Sequence, residues 1–194
     1  MKTLREVWDR YALKWVTEWG GREMQNWQIE ERNRFANRFS RGSLILDLGC
    51  GMGRDLRIFD QFGLRCLGLD FSKQMLSIHG FKDCVCASMN RLPFKKETFD
   101  GVWSCSSMKY LAYEELLETL KEVRRVLKFD GLCWIGLDEG EGEVTEKRDD
   151  IDLTLHLHSG NHFSSFLEEL GVKILEKQHI KAWRDFLNFL VVKI

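Results

Sequence analysis

The segment Leu44-Ile-Leu-Asp-Leu-Gly-Cys-Gly-Met-Gly53 constrains this chain more than any other. A short apolar run that meets glycines at 49, 51 and 53 is a strand entering a sharp turn, and Arg54 opens a helical pattern behind it. Such a turn at the carboxyl end of a strand is where α/β sheets bind ligands, because a glycine backbone lets a ligand approach without a Cβ in the way. The spacing is G-x-G-x-G, with Arg54 where a dinucleotide fingerprint needs its third glycine, and no Gly-Lys-Ser/Thr follows, so a phosphate-binding P-loop is excluded. Asp47 lies inside the strand just before the first glycine, where it would repel a pyrophosphate and suit a cationic group. Asp70, 21 residues after Gly49, ends the next apolar run, and a carboxylate there accepts hydrogen bonds from both hydroxyls of a ribose. Together these features describe a nucleoside that carries an amino acid.

From Ser43 onward short apolar runs alternate with helical patterns. Strands are expected at Leu44 to Leu48, Leu64 to Leu69, Cys84 to Cys86, Gly101 to Ser104 and Leu132 to Leu137, with helices near Arg54 to Phe62, Ser72 to Ile78 and Glu114 to Leu127. That alternation predicts a mostly parallel sheet with helices on both faces. A further helix is expected at Phe163 to Leu170, then strands at Val172 to Ile180 and Phe186 to Ile194. These two are close enough in sequence to pair antiparallel and finish a seven-stranded sheet with a hairpin. Ahead of the sheet, Leu4, Trp8, Tyr11, Trp15 and Trp19 recur at steps of three and four, one face of an amphipathic helix that Gly20-Gly21 ends. A second helical stretch carries Met24, Trp27, Phe35 and Phe39.

The chain has 194 residues, the size of a single domain: residues 1–42 as covering helices, 43–137 as a ligand-binding core and 138–194 as the acceptor side with the terminal hairpin. Hydrophobic residues at 44% and charged residues at 30% exclude a disordered chain. A formal charge of −1 gives no overall field for nucleic acid or an anionic membrane. No membrane-length apolar run or signal core is present, so the expected location is the cytoplasm. Six cysteines without paired zinc spacing are read as buried free thiols.

At the glycine loop and Asp70 the sequence resembles the class I S-adenosylmethionine-dependent methyltransferases. Three further motifs of that family follow in order: Ala87-Ser-Met-Asn-Arg-Leu-Pro-Phe94, Phe99-Asp-Gly-Val-Trp-Ser104 and Val123-Arg-Arg-Val-Leu-Lys-Phe-Asp-Gly131. Trp8-Asp9-x-x-Ala12-x-x-Trp15 is similar to the helix that covers the cofactor in small-molecule members. The resemblance implies a Rossmann-like three-layer sandwich, S-adenosyl-L-methionine as cofactor with S-adenosyl-L-homocysteine as product, and a cofactor site of Trp8, Trp15, Asp47, Gly49, Cys50, Gly51, Arg54, Asp70, Phe71, Ser88, Met89 and Ser104. Two positions depart from the family: Ser88 stands where an Asp usually meets the adenine, and Tyr110 stands where many members have His.

A methyl on a sulfonium is already activated, so the protein's main task is to hold two reactants in line. The leading expectation is transfer to O, N or S of a small molecule, with Tyr110 and His158 as candidate catalytic groups. A macromolecular acceptor (tRNA or protein) and a catalytically silent cofactor-binding protein remain the alternatives. Trp8, Tyr11, Trp15 and Trp19 are read either as an aromatic cover that attracts the sulfonium or as a packing stripe, and Trp103 either as a pocket wall or as core. His156, His158 and His162 have spacing that invites a metal, but no metal is expected. Residues 138 to 150 hold seven acids against Lys147 and Arg148. That excess is expected to repel phosphate-rich acceptors, unless the acids belong to a solvated loop.

Overall fold

The structure is a computed structural model that describes residues 3–19, 25–79, 82–148, 151–182 and 184–194. Gly20, Gly21, Met24, Asp149 and Asp150, which carried sequence-based expectations, lie outside the described residues, and so does the side chain of Trp19. The chain divides into two compact units, Met1–Ser88 and Met89–Ile194.

The first unit runs α1 (Leu4–Trp19), α2 (Asn26–Ala36), β1 (Leu44–Leu48), α3 (Arg54–Gln61), β2 (Arg65–Asp70), α4 (Lys73–His79) and β3 (Cys84–Cys86). β1 pairs parallel with β2, Leu44 against Arg65 through Leu48 against Leu69, and β2 pairs parallel with β3. Parallel neighbours need a crossover, and α3 supplies the one between β1 and β2. Leu56 and Phe59 stand three apart on α3 and are fully buried, whereas Arg57 and Asp60 face solvent. Phe35 of α2 packs on Phe59 with ring centroids 5.9 Å apart. Beside them Arg32 and Asp55 form a buried ion pair at 3.2 Å.

The second unit runs β4 (Phe99–Cys105), α5 (Tyr113–Val126), β5 (Leu127–Asp138), β6 (Glu143–Arg148), β7 (Ile151–His156), α6 (Gly160–Glu169), β8 (Val172–Lys181) and β9 (Asp185–Lys193). β4 and β5 are parallel, β9 runs antiparallel to β5, and β8 antiparallel to β9. Strand order in the seven-stranded sheet is β3-β2-β1-β4-β5-β9-β8, the mostly parallel sheet with a C-terminal antiparallel pair that the sequence predicts. Trp103 of β4 is fully buried and stacks on Trp134 of β5 at 4.0 Å, so it belongs to the core. Phe163 of α6 meets Phe189 of β9 at 5.1 Å on the opposite face.

The sequence expectation missed β6 and β7, which form a separate two-stranded antiparallel sheet inside the acidic stretch. Among its described side chains Leu153 and Leu155 are buried, and Asp152 and Thr154, which alternate with them, are exposed. Strand β5 also starts earlier than expected, directly at the end of α5. No helix among the described residues is long and apolar enough to cross a membrane.

Candidate functional site

In the first unit the backbone after β1 folds onto the end of β2. Gly49 N and Cys50 N both donate to the Leu69 carbonyl, at 2.8 and 3.0 Å, and Gly53 N donates to the Cys50 carbonyl at 2.8 Å. Gly51 has φ +52, a left-handed value that glycine adopts without strain, and a Cβ there would meet nothing within 4 Å. The loop therefore presents an open backbone face.

Asp70 closes the loop from below. One carboxylate oxygen accepts from Gly51 N at 2.9 Å and the other from Ser72 N at 2.8 Å. Each oxygen has capacity for a further bond, which leaves the acid able to take ribose hydroxyls. Burial raises its pKa, partly offset by these backbone donors. Asp47 is buried as well, and its side chain has no hydrogen bond or ion pair among the described residues. Burial holds its pKa well above the ordinary carboxylate range, and the charges of Asp55 and Asp70 add to that. A buried carboxylate with no partner of its own is what a cationic amino group would neutralise. The residues present thus fit S-adenosylmethionine: Asp47 for its ammonium, the open face of Gly51 for close approach and Asp70 for its ribose.

Helix α1 is fastened beside this loop by Asp9. Its carboxylate accepts from Ser72 Oγ at 2.7 Å and Gln74 N at 3.2 Å, and Ser72 Oγ in turn accepts from Met75 N at 3.1 Å, so α4 begins on a shared cap. Partial burial works against ionisation of Asp9, but the bonds from Ser72 and Gln74 outweigh it and the carboxyl sits below its usual range. The helix motif contains Asp9 but by itself assigns it no role. Trp8 is buried and packs edge-on against Tyr11 at 6.1 Å and Trp15 at 5.4 Å, so its ring is committed to this cluster, while Trp15 is half-buried. Arg54 and Phe71 are half-buried, and Ser88 is exposed.

The second unit holds the remaining expected residues. Met89 and Ser104 are buried, and Ser104 Oγ lies 2.8 Å from Ser107 Oγ. Tyr110 is half-buried in the turn Met108–Tyr110, where the Lys109 ammonium stands 5.5 Å from its ring centroid. His158 is buried, and its Nε2 has no hydrogen-bond partner among the described residues. Burial pushes its pKa down to about 4, with His156 and His162 adding to the effect. It is therefore a neutral imidazole at pH 7.

The three histidines do not converge. His156 Nδ1 is 3.2 Å from Glu143, His162 stacks on Tyr113 at 6.2 Å, and no group of three ligating side chains is found among the described residues. The acidic stretch is likewise engaged in structure. Asp138, fully buried at the end of β5, is 3.3 Å from Lys109 Nζ and 2.5 Å from Arg184 Nη1, and Arg184 also binds Glu146 of β6. Glu139 meets His179 at 2.7 Å. No local spacing connects Lys109, Asp138 and Arg184, so this network was invisible in the sequence.

The low pKa of His158 has a consequence for stability. The unfolded histidine takes its proton near 6.5 and the folded one only near 4, so stability is full above pH 6.5 and falls as pH drops toward 4. We expect a loss on the order of 2 kcal/mol over that window, after allowing for partial solvent contact. His158→Phe, compared with wild type by urea unfolding at pH 7 and pH 4.5, should lack that component.

Residues 46–135 match the family described as Methyltransferase domain. Uncharacterized protein MJ1252 of Methanocaldococcus jannaschii is 33% identical over 132 residues, covering 66% of this chain and 49% of that protein. Probable tRNA methyltransferase 9B of Mus musculus is 31% identical over 114 residues, covering 56% of this chain and 25% of that protein. The chain thus spans about half the length of the first relative and a quarter of the second. Among solved structures, 1,6-didemethyltoxoflavin-N1-methyltransferase of Burkholderia thailandensis superimposes with a TM-score of 0.73 at 16% identity, over 100% of this chain and 91% of that one; such a likeness speaks for the fold alone. Residues 46–135 are thus similar to a methyltransferase domain, and the sheet order and the glycine loop with its two acids agree with that match.

Proposed function

We propose that this protein transfers a methyl group from S-adenosylmethionine to a small-molecule acceptor at O, N or S. The observation that carries the acceptor class is the state of the charges at the end of β5. Lys109, which is buried, and Arg184, which is half-buried, are both bound to Asp138, and Glu141 and Glu143 in the stretch after β5 are exposed. Cations already neutralised by carboxylates offer little to a phosphate backbone, whose affinity rests on releasing counterions to Lys and Arg.

The cofactor supplies an activated methyl on a sulfonium, so transfer needs no covalent intermediate on the protein. Asp47 would hold the cofactor's ammonium and Asp70 its ribose, on either side of the sulfonium, and holding reactants in line is worth effective molarities of roughly 10⁵ to 10⁸ M. His158 Nε2 accepts a hydrogen bond from a protonated acceptor. With its proton affinity lowered by burial it serves to orient and polarise the nucleophile more than to remove its proton in the ground state. Tyr110 contributes a phenol whose ring lies 5.5 Å from the Lys109 ammonium. In this reading the whole chain works as one methyltransferase domain, with residues 138–194 selecting the acceptor.

A second reading, an RNA acceptor, is favoured by the similarity to a relative named as a probable tRNA methyltransferase. The experiment that separates them is incubation with S-adenosylmethionine and, in parallel, a metabolite library and total tRNA, scored for S-adenosylhomocysteine. Turnover with a small molecule and none with tRNA supports the proposal, and the reverse sinks it. The same assay in excess EDTA should proceed at an unchanged rate; loss of turnover restored by zinc or magnesium would instead make His156, His158 and His162 ligand candidates.

A further inference from the structure

Gly68, in the middle of β2, has no side chain, and two sulfurs fill the space beside it. Cys50 Sγ and Cys84 Sγ each lie 2.8 Å from the point where a Cβ on Gly68 would stand. Cys50 belongs to the glycine loop, and Cys84 opens β3, directly in register with Gly68. The two sulfurs thus flank one point beside the strand, with no side chain of Gly68 between them. Neither is in a disulfide; Cys50 is buried and Cys84 half-buried. The expectation of buried free thiols holds for Cys50 and Cys133 in burial, whereas Cys66, Cys84 and Cys105 are half-buried and Cys86 is exposed.

We propose that Cys50 and Cys84 are a redox modification site, closing to a disulfide when the protein meets a low-molecular-weight disulfide and thereby disabling the cofactor loop. The Cys84 thiolate attacks one sulfur of the oxidant RSSR, and RS⁻ leaves and takes up a proton. Cys50 then loses its proton and attacks the Cys84 sulfur of the mixed disulfide, expelling the second RS⁻, so two protein thiols are oxidised and two RSH are formed. The order follows from exposure: Cys50 is buried, with its S–H toward the Gly51 carbonyl at 4.0 Å, and burial keeps it protonated, whereas Cys84 is half-buried and open to an oxidant from solvent. Cys86 is a poorer partner, because its sulfur donates to the Phe71 carbonyl at 3.5 Å and meets Arg5 at 3.5 Å.

Closure reaches the cofactor loop for a geometric reason. A covalent sulfur–sulfur bond is shorter than any contact between unbonded sulfurs, so the loop is drawn over β2 toward β3, the edge strand of the sheet. The residue after Cys50 is Gly51, whose N–H holds Asp70. Dragging Cys50 therefore breaks the arrangement of backbone and carboxylate that faces the ligand. This effect on binding rests on the reading of the loop as the S-adenosylmethionine site, whereas formation of the bond does not.

The test treats the whole protein with oxidised glutathione, maps its peptides by mass spectrometry without reduction, and measures S-adenosylmethionine binding by calorimetry before oxidation, after it and after dithiothreitol. Expected are a linked Cys50–Cys84 peptide, at least a tenfold loss of affinity and its recovery on reduction. Cys86→Ala should respond like wild type, and Cys84→Ala should keep its affinity under oxidant. No Cys50–Cys84 link, or a link with unchanged affinity, overturns the proposal; the wild-type map decides even if Cys84→Ala does not fold. Reduced wild type that fails to bind S-adenosylmethionine overturns the cofactor reading and the switch with it, while the peptide map still reports whether the pair closes.

Discussion

Asp70→Ala is expected to weaken S-adenosylmethionine binding by two orders of magnitude or more. The substitution removes both backbone contacts of the loop, Gly51 N at 2.9 Å and Ser72 N at 2.8 Å, together with the acceptor for the ribose. A hydrogen bond to a charged group contributes about 1.5–3 kcal/mol, and losing two or more corresponds to roughly 10² to 10⁴ in Kd. Asp70→Asn should fall between, since the amide keeps one accepting oxygen and turns an NH2 toward a donor. Calorimetry measures the affinities, and a thermal melt of each variant separates a lost ligand contact from a lost fold. Unchanged affinity in Asp70→Ala would refute the assignment. The same site predicts a pH dependence. Protonated Asp47 cannot pair with an ammonium, and its pKa lies well above 3.8 in the free protein. Affinity should therefore fall as pH drops through that raised pKa, and binding should release a proton where Asp47 is still protonated.

Asp138→Ala should be the most destabilising single change at the end of β5. Asp138 is 1% exposed, and it is the carboxylate that faces the buried Lys109 ammonium at 3.3 Å. Burial already lowers the Lys109 pKa, with the attraction of Asp138 working against it. Removing one partner of a buried pair strands the other charge and costs about 3–5 kcal/mol, roughly a 10 °C fall in Tm for a chain of this size. Arg184 suffers less, because Glu146 also holds it. The double variant Lys109→Met with Asp138→Leu removes both charges and should recover most of the loss, which denaturant unfolding of the three proteins would read. If the single and double variants are equally unstable, packing at Asp138 and not its charge carries the effect.

The glycine loop and its acids were legible because their information is local. Glycines at 49, 51 and 53 specify a backbone that other residues resist, and Asp47 and Asp70 are placed by their position at strand ends. The parallel strands were legible from apolar runs of the right length. The hairpin β6–β7 had a signal as well, in the alternation Ile151-Asp-Leu-Thr-Leu-His156, which the surrounding acids obscured. Asp9 was visible as a motif residue, but its bond to Ser72 spans 63 positions and has no counterpart in any window of sequence.

By itself the sequence determined where the chain turns, which runs are buried and which acids stand at strand ends, since backbone preference and hydrophobic period act over a few residues. Only the tertiary structure decided which distant side chains share a neighbour: Lys109 and Arg184 on Asp138, Cys50 and Cys84 over Gly68, and His156, His158 and His162 turned to three different surroundings. The physical reason is that charge pairing, thiol contact and the burial that shifts a pKa depend on distance in space. That distance is set by strand register and crossover, which a one-dimensional pattern does not contain.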